Sequence, residues 1–237
     1  MDGPLYFRQL LSGRDFAGND MIAQQMVNFS YLIGDRDTGE AVVVDPAYNP
    51  ADLLAVLAED EMRLVGVLAT HYHADHIGGS MMGYDVAGIA ELLEHVDVPV
   101  HLQRPEVEYV TKTTGVQADS LTGHDSGDVV SVGQVDIELI HTPGHTPGSQ
   151  CFLVRDHLVS GDTLFLDACG RTDLPGGSPE ELFRSLHERL ARVPDTAVLY
   201  PGHRYSNDDH QSMGQTRQRN IAYKVDNLDR WLTFFGH

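Results

Sequence analysis

At 237 residues, 41% of them apolar and 22% charged, the chain has the composition of an ordinary globular protein and the length for one large domain. Its 35 acidic against 16 basic side chains give a net charge of −19, which argues against a nucleic-acid partner, because phosphate backbones are held by Lys and Arg. No run of about 18 apolar residues is present, which excludes a membrane-spanning helix.

In chain order, residues 26–33 and 40–45 read as two strands joined by the turn-rich Gly34-Asp35-Arg36-Asp37-Thr38-Gly39. Asn49-Pro50 has the form of an N-cap with proline at the first helical position. The helix it opens runs to about Glu59 and buries Leu53, Leu54, Val56 and Leu57. An apolar strand follows at 64–69, then a helix at 86–95, a short strand at 98–102 and a helix at 104–113 opened by Pro105. From 129 the pattern returns to strands, at 129–132, 134–140, 150–154 and 157–160, with turns at Gly133 and Arg155-Asp156. Ser178 and Glu181 have the spacing of a capping box, which predicts a helix to about Arg192. A strand at 197–200 and a helix at 216–231 close the chain. With no internal repeat and no linker, residues 1–237 are expected to form a single α/β domain of two sheets packed face to face with helices outside. No basic and then apolar leader opens the chain. The two cysteines, Cys151 and Cys169, therefore read as reduced thiols of a cytoplasmic protein.

The chemistry concentrates at Thr70-His71-Tyr72-His73-Ala74-Asp75-His76, closed by Gly78-Gly79 and placed directly after the strand at 64–69. Four side chains able to bind a metal fall within six residues. Three later positions repeat one grammar of strand, glycine, ligand: His145 after Gly144, Asp162 after Gly161 and His203 after Gly202. Glycine lets the backbone bend and approach closely there, and ligands on strand ends keep their geometry better than ligands on free loops. Five imidazoles and two carboxylates are too many for one tetrahedral ion and suit two ions sharing a carboxylate. The donor set fits zinc, iron or manganese in a catalytic rather than a structural site. His95, His101, His124, His157, His187, His210 and His237 read as ordinary surface or hydrogen-bonded residues, and His141 as a strand-end residue.

Together, Thr70 to His76 with Gly78-Gly79, Gly144-His145-Thr146-Pro147-Gly148, Gly161-Asp162-Thr163-Leu164-Phe165 and Gly202-His203 resemble the metallo-β-lactamase superfamily. The resemblance implies an αββα sandwich. Carried over residue by residue, it puts His71, His73 and His145 on a first metal and Asp75, His76 and His203 on a second, with Asp162 bridging. In family hydrolases a metal-bound water supplies the nucleophile, because the ion lowers its pKa to about 7, and Asp75 would orient it. Asp162 stands where the secreted β-lactamases carry cysteine. The segment 161–173, with Arg171-Thr172-Asp173, looks most like the glyoxalase II and persulfide dioxygenase branch.

The residues after His203 are too few for the helical extension by which glyoxalase II binds glutathione. Compact members also lack a stretch like 84–114, a helical insertion expected to form a helix, strand and helix near the site mouth. The first expectation is a hydrolase with two divalent ions, zinc for choice, acting on a small thioester or ester. The alternative is a mononuclear iron(II) dioxygenase oxidising glutathione persulfide through His71, His145 and Asp162, and a lactone hydrolase would share the full ligand set. In each case the partner is a small molecule, with glutathione or another thiol conjugate in view. Arg171 is the candidate substrate contact, its guanidinium suited to a carboxylate, against a plain ion pair with Asp173. Cys169 is expected to be structural.

Overall fold

In a computed structural model, which describes residues 4–236, the chain opens on a strand that periodicity did not signal, β1 (Leu5–Leu11). Helix α1 (Met21–Met26) follows, capped by the Asp20 carboxylate, which accepts from the amides of Ile22 and Ala23. Val27 ends it in the left-handed conformation, φ 51. The second strand, β2 (Phe29–Asp35), consequently starts three residues later than expected and leaves Asn28 between the two elements. β3 (Glu40–Val44), α2 (Pro50–Glu59) and β4 (Arg63–Leu68) lie where the sequence puts them. Asn49 caps α2 by accepting from the Asp52 amide.

A short turn α3 (Ala74–Ile77) and a ribbon of β5 (Gly79–Met81) and β6 (Tyr84–Val86) come next. Because Val86 is spent in the ribbon, α4 is Ile89–His95 rather than a helix from 86. β7 (Val100–Gln103), a tight helical turn at Arg104–Glu106, α5 (Val107–Thr114) and β8 (Leu121–His124) complete this part. The strand expected within the 84–114 stretch is β7. β7 runs parallel between β4 and β8 inside the first sheet.

β9 (Val129–Val132), β10 (Val135–His141), β11 (Gln150–Val154) and β12 (His157–Gly161) form an antiparallel meander. α6 (Pro179–Arg184) starts at its Ser178 cap and continues helically to Arg192 through a widened turn at Ser185–Arg189. β13 (Val198–Pro201) pairs parallel with β12 and antiparallel with β14 (Gln211–Ser212). The expected helix at 216–231 is instead two helices, α7 (Met213–Arg219) and α8 (Leu228–Phe235). Asn220 breaks it: its buried amide donates to the carbonyls of Phe165 and Ala168, both at 2.8 Å, and leaves helical conformation to do so.

Among the described residues the strands order as β1-β2-β3-β4-β7-β8 and β14-β13-β12-β11-β10-β9. Both sheets are mixed. Alternation sorts their side chains into layers. Phe29, Tyr31 and Ile33 of β2 meet Ile137, Leu139 and Phe152 between the sheets. Leu32 faces the other way, into the layer of Leu53, Leu57, Ile89 and Leu92 under α2 and α4. On the far side Leu158 and Leu199 pack on Leu182, Leu186, Met213 and Trp231 of α6, α7 and α8. Helices therefore cover both outer faces of a sheet pair, the αββα sandwich. No helix among the described residues is long and apolar enough to cross a membrane.

Candidate metal centre

The sandwich brings the ends of β4, β10, β12 and β13 to one edge, and each ligand-type side chain stands just past one of them. At Gly161 the backbone is left-handed, φ 49, and a Cβ would lie 2.6 Å from the Thr70 side chain. At Gly202 a Cβ would lie 2.3 Å from Asp162 Oδ1. Glycine is needed once for conformation and once for space. Main-chain bonds lock the loops together: Gln150 N donates to Thr70 O at 3.0 Å, Gly202 N to Gly161 O at 2.8 Å, and Phe29 N to Gly202 O at 2.8 Å.

All seven predicted ligands converge, in two nests. In the first, His73 Nδ1 lies 3.0 Å from both His71 Nε2 and His145 Nε2. In the second, His76 Nε2 and His203 Nε2 are 3.1 Å apart, and Asp75 Oδ2 is 3.6 and 3.4 Å from them. Asp162 stands between: Oδ1 is 3.3 Å from His76 Nε2, while Oδ2 is 3.3 Å from His203 Nε2 and 3.7 Å from His145 Nε2. Atoms bound tetrahedrally to one ion at about 2.0–2.1 Å stand about 3.3 Å from each other, so both nests have the spacing of a coordination shell. Asp162 Oδ1, buried and without a hydrogen-bond donor, is an acceptor of the kind an ion satisfies.

Outer partners aim the rings. The carbonyls of Arg171 and Met26 accept from Nδ1 of His145 and His203 at 2.7 and 2.8 Å, so Nε2 is the atom turned to the nest in each case. Asp45 organises two more. Its carboxylate takes the Thr70 amide at 2.8 Å, the Thr70 hydroxyl at 2.6 Å and His76 Nδ1 at 2.9 Å. Having given its proton to Asp45, the Thr70 oxygen accepts from His71 Nδ1 at 2.9 Å. Charge divides the nests. Burial, with the neighbouring imidazoles, holds His71 well below its ordinary pKa and His73 at about 4, and burial also lowers His145. In the second nest burial opposes the imidazolium, but Asp162 and its neighbours outweigh it, raising His76 well above its ordinary value and His203 to about 9.

Four residues at the site carry no sequence signal of their own. Asp45 is one. Asn28 and Tyr48 are a buried pair, the Tyr48 hydroxyl donating to Asn28 Oδ1 at 2.9 Å while Asn28 Nδ2 reaches Asp75 Oδ2 at 3.1 Å. Glu106, fully buried, accepts from Tyr72 N at 2.9 Å, Thr146 Oγ1 at 2.7 Å and Gly148 N at 2.6 Å, joining the two loops that carry the first nest.

The nests open into a cavity of about 460 Å³ walled by Tyr72, Met81, Met82, Leu174 and Tyr205, with Arg171 on its rim. The Arg171 guanidinium is held bidentately by Asp173, at 2.6 Å twice. A larger depression of about 830 Å³ along α5 lies away from the ligands, and its charges are spent on Lys112–Glu108 and Arg104–Asp125 pairs. Both cysteines are free thiols, and burial pushes Cys169 up to about 12. Of the histidines set aside, His141 ends β10 and bonds Pro147 O, and His101 pairs with His124. His237 lies outside the described residues.

Comparison with known proteins agrees with this geometry. The family model of the metallo-β-lactamase superfamily matches residues 24–203. The mitochondrial persulfide dioxygenase ETHE1 of Homo sapiens is 34% identical over 206 residues, 84% of this chain and 74% of that protein. A probable polyketide biosynthesis zinc-dependent hydrolase of Bacillus velezensis, BaeB, is 29% identical over 89% of this chain and 88% of its own. The crystal structure of ETHE1 from Myxococcus xanthus superposes with a TM-score of 0.79 at 29% identity, covering 98% of this chain and 90% of that one. With the sandwich and its His and Asp nests already in view, these matches establish the chain as an enzyme of the metallo-β-lactamase superfamily.

Proposed function

We propose that this enzyme is a mononuclear iron(II) dioxygenase acting on a small thiol persulfide, of which glutathione persulfide is the leading candidate. The hydrolase expected first from the sequence takes second place. The observation that carries the reading is the likeness to persulfide dioxygenase ETHE1 across 84% of the chain, with His71, His145 and Asp162 converging as two imidazoles and a carboxylate. Iron bound to such a triad supplies dioxygen chemistry and leaves coordination positions open.

The chain's own residues do the rest. Thr70 and the Arg171 carbonyl fix the proton of His71 and His145 on Nδ1, so Nε2 of each offers its lone pair without first losing a proton. The Met81 thioether, the Leu174 side chain and the Tyr205 ring line the cavity and offer an apolar wall to the sulfur end of a substrate. Arg171, on the rim, exchanges Asp173 for a substrate carboxylate. Two free thiols, Cys151 buried and Cys169 half-buried, suit a reducing compartment, and we read the enzyme as cytoplasmic.

A second reading, a dinuclear zinc hydrolase with Asp75 orienting the water, has one specific observation in its favour: the second nest is also complete and spaced for an ion. Two experiments separate the readings. Protein purified without added metal should hold one iron per chain and consume oxygen on glutathione persulfide, whereas two zinc ions and thioester hydrolysis would support the hydrolase. His73→Ala should leave iron bound at His71, His145 and Asp162, while a hydrolase using both nests would lose its activity.

A further inference from the structure

We propose that Asn28 forms the fourth corner of the second nest and, held in orientation by Tyr48, keeps an ion out of it. The inference rests on the one-ion reading and gives it a structural cause. Asn28 Nδ2 is 3.1 Å from Asp75 Oδ2, 3.3 Å from His76 Nε2 and 3.5 Å from His203 Nε2. Those three atoms are themselves separated by 3.1 to 3.6 Å. The four atoms therefore outline a nearly regular tetrahedron, so the amide fills one of the two corners open to an ion held by Asp75, His76 and His203, Asp162 offering the other.

Which amide atom fills it decides the outcome. A carboxamide nitrogen has no lone pair to offer, because it is delocalised into the carbonyl, and it carries two hydrogens. One reaches Asp75, and both give the interior of the tetrahedron a partial positive charge that opposes a cation. The oxygen at the same corner would instead be a ligand. Nδ2 and Oδ1 exchange by a half-turn of the amide, so the partner of the other end sets the orientation. That partner is Tyr48, whose hydroxyl donates to Oδ1 at 2.9 Å. Tyr48 is 6% exposed, and burial followed by the charge of Asp75 raises its pKa, so it stays a neutral O–H donor.

The backbone fixes the pair in place. Asn28 bridges antiparallel to His203, between the left-handed Val27 and the first residue of β2. Tyr48 itself has positive φ, 74, and its amide donates to Ala87 O at 2.8 Å, which anchors the residue whose hydroxyl meets Asn28. Among the described residues, nothing around the first nest repeats this arrangement. The asymmetry lies in the residues around the two nests rather than in their ligands.

Equilibrium dialysis of the purified full-length protein against zinc alone, with bound metal counted by mass spectrometry, tests the proposal without recourse to turnover. Wild type should retain one ion per chain. Asn28→Asp puts an oxygen at the corner in any orientation and should retain two, the second bound about tenfold or more tighter than any second ion in wild type. Tyr48→Phe frees the amide to turn and should move in the same direction. It also guards against Asn28→Asp failing to fold, which circular dichroism would reveal. One ion in wild type and one in both folded variants would overturn the role of Asn28 and leave the one-ion reading standing. Two ions tightly held by wild type would overturn the one-ion reading itself, and this inference with it.

Discussion

Glu106 receives three hydrogen bonds from two loops that share no strand, through Tyr72 N, Thr146 Oγ1 and Gly148 N. Tyr72 lies between His71 and His73, and Thr146 follows His145, so one buried carboxylate sets the distance between the ligands of the first nest. In Glu106→Gln one amide N–H would face the Gly148 N–H, an unsatisfied contact that costs about 1–3 kcal/mol, and metal should be lost more readily to a chelator. Burial, partly offset by these three donors, pushes the carboxyl from 4.5 up to about 7. A raised folded-state pKa means that the native state binds the extra proton between these values. The stability it contributes is fully present below pH 4.5 and disappears as pH rises through about 7. The wild-type Tm should therefore fall, relative to that of Glu106→Gln, between pH 5 and pH 8. Parallel Tm curves would contradict the assignment. None of this was legible in Gln103-Arg104-Pro105-Glu106, where a glutamate in a helical turn reads as surface charge.

The strands that present ligands were legible as elements because each is an apolar run ended by glycine. Their register and order were not. β1 and β8 lack the pattern: Arg8-Gln9 interrupts the first, and Thr122-Gly123-His124 ends the second in polar residues. The last residue of α1, Met26, reads as strand because Met26-Val27 continues the apolar run of β2, while the Asp20 cap that claims Met26 for a helix lies six residues upstream. At the C-terminal end, one helix was expected where Asn220 makes two. Its replacement of helical bonds by three side-chain bonds to 165–168 is a tertiary event with no local periodicity. The second of these helices anchors the outer layer through Trp231, which is fully buried, stacks on Phe235 at 4.2 Å and donates Nε1–H to Pro179 O at 2.8 Å. Trp231→Ala should cost about 3–5 kcal/mol in urea denaturation. Bound metal should be unchanged, because this layer packs on the face of the second sheet away from the first.

For the whole molecule, the seven ligand-type side chains that converge were legible as candidates because metal chemistry admits few residue types and strand ends give them a repeated context. What decides between one ion and two was not. Asn28 meets His203 across 175 residues and Tyr48 across 20, and a sequence pattern reports alternation along a strand rather than which loops meet. The two nests differ in surroundings: neutral imidazoles fixed by Thr70 and a carbonyl in one, imidazoles paired with carboxylates and faced by an amide in the other. This chain's matches include both a persulfide dioxygenase and a zinc-dependent hydrolase, and under the proposed reading metal occupancy would tell which of them it resembles in activity. Metal analysis of the protein as purified, paired with oxygen uptake on glutathione persulfide, bears on this most directly. One iron per chain with stoichiometric oxygen consumption is predicted; two zinc ions per chain with no oxygen uptake would contradict it.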